Sequence, residues 1–312
     1  MHLDKYLKTL VQTHRRFVAL CEEFPRKPAL GAAGGFDRRV VRVLTPGTLI
    51  DEPFLNQYEN NYLLAVGTAR EHTLSEGTQQ SIAHDVGLAW IDVSTGEFFT
   101  KIIPLDGLRD EIVRLGPREV VLDRTLETIT SHPIRHTLEE ESCFVSYVTL
   151  SDEPASLPIA RELNEDNAIP STKDVLPPPV FSSAEAAGIK VLTTFLRANL
   201  MDNMPQLSAP NREADHGRMR IDAHTLKSLE IREGMREGGV TGSLLSVIKR
   251  TVTSGGTRLL TRWLSSPSTS LTEINARLSL VAFFYERPHF RADLCEMLTL
   301  SLIHISEPTR PY

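Results

Sequence analysis

Six of the nineteen prolines in this 312-residue chain fall between residues 154 and 179, and Pro177, Pro178 and Pro179 are consecutive. Proline has no backbone N–H and a fixed φ, so neither a helix interior nor a central strand can cross such a stretch. It reads as a connector of poor secondary structure between an N-terminal and a C-terminal part. Before it, strand and helix patterns alternate; after it, every periodic stretch is helical. The chain is also long for one domain, so two or three are expected. Apolar residues at 41% and charged residues at 24% suit a folded chain and exclude a wholly disordered one.

At the start, Leu3, Tyr6, Leu7, Leu10 and Val11 recur at helical spacing, which predicts an amphipathic helix. Phe17–Leu20 reads as a short buried strand, and Pro25, Pro28, Gly31, Gly34 and Gly35 break the pattern into a loop. Val40–Leu44 is a β-branched run stopped by the turn pair Pro46-Gly47. Residues 62–66, 86–93 and 97–103 are further strand candidates, the last two paired across Ser94-Thr95-Gly96. Leu108, Ile112 and Leu115 mark a short helix ended by Gly116-Pro117, and residues 119–122 come next as a strand. Three strands, a helix and a strand is the order that opens a ribonuclease H-like α/β domain.

Beyond the connector, Ser182 and Glu185 have capping-box spacing ahead of Ile189, Leu192, Leu196 and Leu200. Ser270 and Glu273 repeat that spacing ahead of Ile274, Leu278 and Val281. Between these stretches, Leu244–Ile248 and Leu259–Leu264 predict two short packed helices.

The formal net charge of −6 is unevenly spread: +5 over residues 1–50, −13 over 51–165 and +2 over 166–312. An acidic middle repels a phosphate backbone, so any nucleic-acid contact is expected in the flanking parts. Cys21, Cys143 and Cys295 form no Cys-x-x-Cys pair, which excludes a zinc ribbon or disulfide scaffold and suits a reducing compartment. No apolar run approaches the ~20 residues that cross a bilayer. The first residues lack a secretory core. Lys5, Lys8, Arg15 and Arg16 could suggest a targeting helix, but Asp4, Glu22, Glu23 and the adjoining strand favour folded structure.

The chemistry-bearing patterns are sparse. There is no Gly-x-x-x-x-Gly-Lys-Ser/Thr phosphate loop, and the glycine-rich stretches 234–242 and 254–257 lack its lysine and read as turns between helices. No His-Glu-x-x-His or Gly-x-Ser-x-Gly occurs. A ribonuclease H fold cleaves with metal ions held by strand-borne carboxylates, and Asp92, Glu97 and Asp123 are the residues that could serve. Asp92 also precedes a Ser-Thr-Gly turn, where aspartate commonly caps the backbone.

Several segments in order resemble the MutS family of DNA mismatch-repair proteins over roughly residues 2–298. They include Leu3–Leu7, Val18–Glu23, Arg38-Arg-Val-Val-Arg-Val-Leu-Thr-Pro-Gly-Thr48, residues 60–65 and Gly87-Leu-Ala-Trp-Ile-Asp-Val-Ser-Thr-Gly-Glu-Phe98. Met219–Ile231, Ser243–Thr253 and Gly256–Leu264 continue the match. Residues 22–26 and 90–101 look closest to the mitochondrial homologue of filamentous fungi, implying a mitochondrial location.

The resemblance implies a fold that is α/β plus all-α: a ribonuclease H-like connector domain followed by a partial helical lever domain, preceded by the end of a mismatch-recognition domain. The implied boundaries are 1–45 for that end, 46–165 for the connector, 166–181 for a Pro-rich linker, 182–298 for the start of the lever and 299–312 for a non-native tail. The implied function is that of a protein which clamps mismatched double-stranded DNA as a homodimer, with no membrane partner, and signals through ATP and Mg²⁺. A Phe-x-Glu mismatch probe is expected before residue 1 and the ATPase domain after residue 312. No family catalytic, cofactor-binding or metal-binding residue falls on a position of this chain, and no enzyme activity or cofactor is expected of it alone. The connector of the family is not a nuclease, which fits a capping role for Asp92. A metal-dependent nuclease using Asp92, Glu97 and Asp123, or a scaffold binding proteins through the acidic 51–165 surface, remain the other classes.

Apolar positions such as Leu244, Leu259, Trp263 and Leu278 call for partner helices. The chain is expected to self-associate or unfold with little cooperativity beyond residue 200. A sharp thermal transition with monomeric elution would contradict this.

Overall fold

The computed structural model describes residues 6–7, 9–25, 35–49, 59–68, 85–129, 131–150, 181–201, 204, 207–213, 217–236 and 239–305, with side chains to residue 299. Two compact units emerge, one built mainly from residues 1–55 and 61–213 and the other mainly from 214–312. The Pro-rich stretch 154–179 lies outside the described residues, as does Leu3.

The first unit begins with Leu7 and Val11, buried beside Leu44 and Leu49 in a small core that Val18 and Leu20 flank. Tyr6 and Leu10 are exposed, so only half of the expected apolar stripe is used, and residues 9–13 form a π-helical turn. Strands β1 (Val18–Pro25) and β2 (Phe36–Leu44) form an antiparallel hairpin with a bulge between Leu20 and Cys21. The short buried strand expected at 17–20 is thus a longer, largely exposed one. Phe24, Phe36 and Val40 stay exposed because only the base of the hairpin meets a core.

Strands β3 (Tyr62–Thr68), β4 (Asp85–Asp92), β5 (Phe98–Pro104), β6 (Glu119–Asp123), β7 (Val145–Val148) and β8 (Asn211–Arg212) form one sheet, ordered β7-β6-β3-β4-β5-β8. β3–β4 and β4–β5 pair antiparallel, whereas β3–β6, β6–β7 and β5–β8 pair parallel. Side chains alternate across a strand, so both faces of β3 can be covered. On one face Tyr62, Leu64, Val66, Leu88, Trp90 and Val120 pack against α1 (Leu108–Leu115), α2 (Thr125–Thr128) and α3 (Pro133–Glu140). Gly116 closes α1 in the left-handed conformation.

The other face is covered by α4 (Ser183–Leu200), which buries Ile189, Leu192, Phe195, Leu196 and Leu200 against Leu63, Ala65, Ala89, Ile91, Phe98 and Val121. Ser182 and Glu185 form the expected reciprocal capping box. The apolar face is therefore as foreseen, but its partner is not: α4 belongs to the α/β unit and also touches β2, so the helical region does not start at 182. Amphipathic spacing locates a helix face without identifying what covers it.

Glycine makes this close packing possible. Gly67 and Gly87 are cross-strand partners. A β-carbon at Gly87 would lie 2.1 Å from the Ala184 carbonyl atoms, and one at Gly67 would lie 2.1 Å from the Gly188 nitrogen. Gly188 is itself tight, 2.9 Å from the Gly87 oxygen by the same measure. The helix backbone sits in a notch that any side chain would fill.

The second unit contains α5 (Ala223–Ser228), α6 (Leu244–Ile248), α7 (Ser254–Ser265), α8 (Leu271–Tyr285) and α9 (Pro288–Ile305). Residues 254–257, expected as a turn, are the first turn of α7, whose Gly256 N–H donates to Thr253 Oγ1 at 3.0 Å. At α8 the second capping box is half formed. Ser270 accepts from the Glu273 N–H, but the Glu273 carboxylate is taken by Ser268, Arg218 and Arg277. The Arg277 guanidinium lies 3.7 Å from the centre of the Trp263 ring. Leu244, Leu259, Leu271, Leu278 and Val281 are exposed, and α8 buries none of its residues. α9 continues to Ile305, and Pro308 and Pro311 lie outside the described residues.

Gly87→Ala is expected to destabilise the α/β unit. Overpacking costs about 1–3 kcal/mol, while removing a strand glycine returns only about 0.5–1 kcal/mol. A lower urea midpoint at unchanged slope checks the net loss.

Candidate functional site

Three clusters of buried or half-buried polar groups stand out in the α/β unit. Each joins elements that are distant in sequence.

The first centres on Glu119, which opens β6 and is fully buried. Residues 45–48 (Thr-Pro-Gly-Thr) make a tight turn in which the Thr48 N–H donates to the Thr45 carbonyl at 3.1 Å and the Thr45 N–H donates to Thr48 Oγ1 at 2.9 Å. The Thr45 hydroxyl donates to Glu119 Oε2 at 2.5 Å, and the Gly47 N–H donates to the same oxygen at 2.7 Å. The Ser146 hydroxyl, from β7, bonds Glu119 Oε1. Thr45, Thr48 and Ser146 are buried as well. Gly47 is not among the glycines with positive φ. It is required by space instead, because a β-carbon there would lie 2.6 Å from Leu63 Cδ1 and 2.8 Å from Glu119 Cβ. Burial pushes the Glu119 carboxyl above its ordinary range, outweighing the three hydrogen bonds that pull it down.

The second centre is Glu185 in the first turn of α4. It accepts from the Ser182 N–H at 2.9 Å and from Arg212 Nε at 2.9 Å, with Arg212 Nη2 on its other oxygen. Burial raises this carboxyl, but Arg212 and Ser182 more than compensate and hold it below the usual carboxylate range. The bidentate pair ties the helix start to β8.

The third is a charge-balanced cluster beneath α1. Lys101 Nζ lies 2.5 Å from Glu111, and Arg114 bonds both Glu111 and Glu213 at 2.6 Å, with its guanidinium 5.9 Å from the Trp90 ring centre. Burial opposes the Arg114 charge, but the two carboxylates outweigh it and raise its pKa.

Two of the three carboxylates named as nuclease candidates, Asp92 and Asp123, are occupied locally. Asp92, buried at the end of β4, accepts from the Ser94 N–H at 3.0 Å and from its hydroxyl at 2.5 Å, the capping role that the Ser-Thr-Gly turn suggested. Asp123 accepts from the Thr125 N–H at 2.9 Å before α2. Glu97 is exposed in the turn before β5. Among the described residues, no group of three or more His, Cys, Asp or Glu could hold a metal ion, and no helix is long and apolar enough to cross a membrane. In the stretch 234–242, the Gly234 N–H donates to the Gly239 carbonyl at 2.9 Å, a turn as expected.

Sequence reasoning passed over Glu119, Gly67 and Gly87. The signal for the glycines was their place inside strand patterns, where they mark close backbone approach. For Glu119 it was a lone carboxylate heading an apolar run.

Comparison with known proteins adds three matches in order: MutS domain I to residues 1–53, MutS domain II to 61–206 and MutS domain III to 224–302. A DNA mismatch repair protein MutS of Paracoccus denitrificans is 33% identical over 301 residues, covering 95% of this chain and 31% of the relative. Those of Cereibacter sphaeroides and Rickettsia canadensis are 34% and 30% identical, covering 93% and 95% of this chain and 31% and 32% of theirs. The chain thus spans about a third of the length of the curated relatives it matches. The domain II match, running to 206, includes α4 with the sheet, as the packing does.

A raised carboxyl contributes stability while it is protonated and loses it as pH climbs through its folded value. The Glu119 contribution to stability is therefore expected to fall as pH rises above the ordinary glutamate value of ~4.3. Glu119→Gln removes that component. Urea midpoints of the two proteins should diverge with rising pH in favour of Gln; parallel profiles would contradict the assignment.

Proposed function

This chain belongs to the MutS family, and from that premise we propose that it is the portion of a mismatch-repair protein that carries a signal between a DNA-probing domain and helical arms. The observation that carries the reading is the succession of MutS domains I, II and III along one chain, in order, with 30–34% identity to bacterial relatives.

In this reading the α/β unit is the ribonuclease H-like connector. The order β5-β4-β3-β6-β7, with three antiparallel strands followed by two added in parallel, supports that assignment. The helices from 223 onward are the start of the lever, supported by the domain III match and by the apolar surface that α8 leaves uncovered. The complete protein would act as a homodimer on mispaired duplex DNA. A mispair lowers the cost of bending the duplex, so such a protein reads deformability more than base identity. ATP and Mg²⁺ would bind the remainder of the protein and supply the energy that switches its grip. A mitochondrial location is part of the proposal, resting on the likeness of residues 22–26 and 90–101 to fungal mitochondrial sequences.

What these residues contribute is rigidity. Asp92 and Asp123 are engaged in local turns, and the Glu185–Arg212 and Arg114–Glu213 ion pairs join separate elements. Such a unit transmits displacement rather than performing chemistry.

The test is a chimaera in which residues 1–298 replace the matching segment of a bacterial relative. It is expected to retain preferential binding of mispaired duplex and to suppress mutation in cells lacking their own copy. A mutator phenotype from a folded, abundant chimaera would count against the reading. The isolated 1–312 chain is expected to hydrolyse no ATP and to bind paired and mispaired duplexes alike.

A further inference from the structure

We infer that Glu119 is a latch that fastens the 45–48 turn, and through it the base of the β1–β2 hairpin, to the central sheet. It thereby locks together the segments matched by two successive family domains.

The turn falls within the domain I match, and Glu119 and Ser146 fall within the domain II match. One carboxyl oxygen of Glu119 receives both the Thr45 hydroxyl and the Gly47 N–H, and the other oxygen bonds the Ser146 hydroxyl on the neighbouring strand. These groups are shielded from water, so opening the turn strands three hydrogen-bonding groups at once. Leu44 and Leu49, on either side of the turn, lie in the small core with Leu7 and Val11, so releasing the turn also loosens that core.

The set of bonded partners does not depend on the charge of Glu119. Ionised, the carboxylate accepts all three bonds; protonated on Oε1, it donates to Ser146 Oγ while Oε2 still holds the turn. Glutamine can reproduce the second pattern, accepting from Thr45 and Gly47 and donating to Ser146. Alanine cannot. Gly47→Ala attacks the same contact from the opposite side, because its methyl group would collide with Leu63 and Glu119. The inference rests on geometry and stands independently of the proposed function.

Hydrogen exchange monitored by mass spectrometry on the full 312-residue chain tests it. In Glu119→Ala and Gly47→Ala, amides of residues 43–48 and of Val18–Leu20 are expected to exchange roughly tenfold faster or more, while those of β3 and β4 stay near wild type. Glu119→Gln is expected to retain the wild-type pattern. Unchanged exchange at 43–48 in a folded alanine variant would overturn the latch, as would loosening of the Gln variant as complete as that of Ala. If Glu119→Ala fails to fold, Gly47→Ala decides by the same two readouts.

Discussion

The seating of one helix backbone directly on two strand backbones governs the architecture of the α/β unit. Gly67 and Gly87 face each other across β3 and β4, and their missing side chains let Ala184 and Gly188 of α4 approach the sheet. Without that notch Leu63, Ala65, Ala89 and Ile91 would lose their cover, and a sheet with parallel strands requires cover on both faces. From the same seat α4 presents Glu185 to Arg212, which fixes the short edge strand β8. The helix thus organises strands as distant in the chain as β3, more than a hundred positions before it.

At the opposite margin, Glu119 works in reverse. A charged residue sits where apolar packing would ordinarily stand, and its burial is opposed by desolvation. Three donors from two elements offset part of that cost. The same arrangement recurs around Arg114, where two carboxylates and Lys101 balance the charge. These clusters lie at junctions between elements, and apolar residues fill the layers between them. A junction held by directional bonds has one register.

Local pattern was the legible part of this sequence. The strands at 62–66, 86–93 and 97–103, the helix at 108–115 and the capping box at Ser182 can be read from periodicity and turn chemistry within a few residues of one another. The partnership of α4 was not legible, because the proline-rich stretch before it suggested a domain boundary and periodicity carries no address. The same limit hid the link between Pro46-Gly47 and Glu119, residues more than seventy positions apart. The strand at 17–20 was misjudged as buried because a short apolar run promises a covered face, whereas Phe17 is exposed and β1 as a whole is largely so. Family likeness supplied what local physics could not, namely the order of the domains.

The central claim is that the hairpin base, the sheet and α4 form one cooperative body. Native-state hydrogen exchange of the unmodified chain in increasing urea measures this directly. The account predicts that amides at Val43 and Leu44, in β3 and β4, and in the middle of α4 converge on a single denaturant-dependent opening. Separate opening of Val43 and Leu44, at lower free energy and with no dependence on urea, would contradict it.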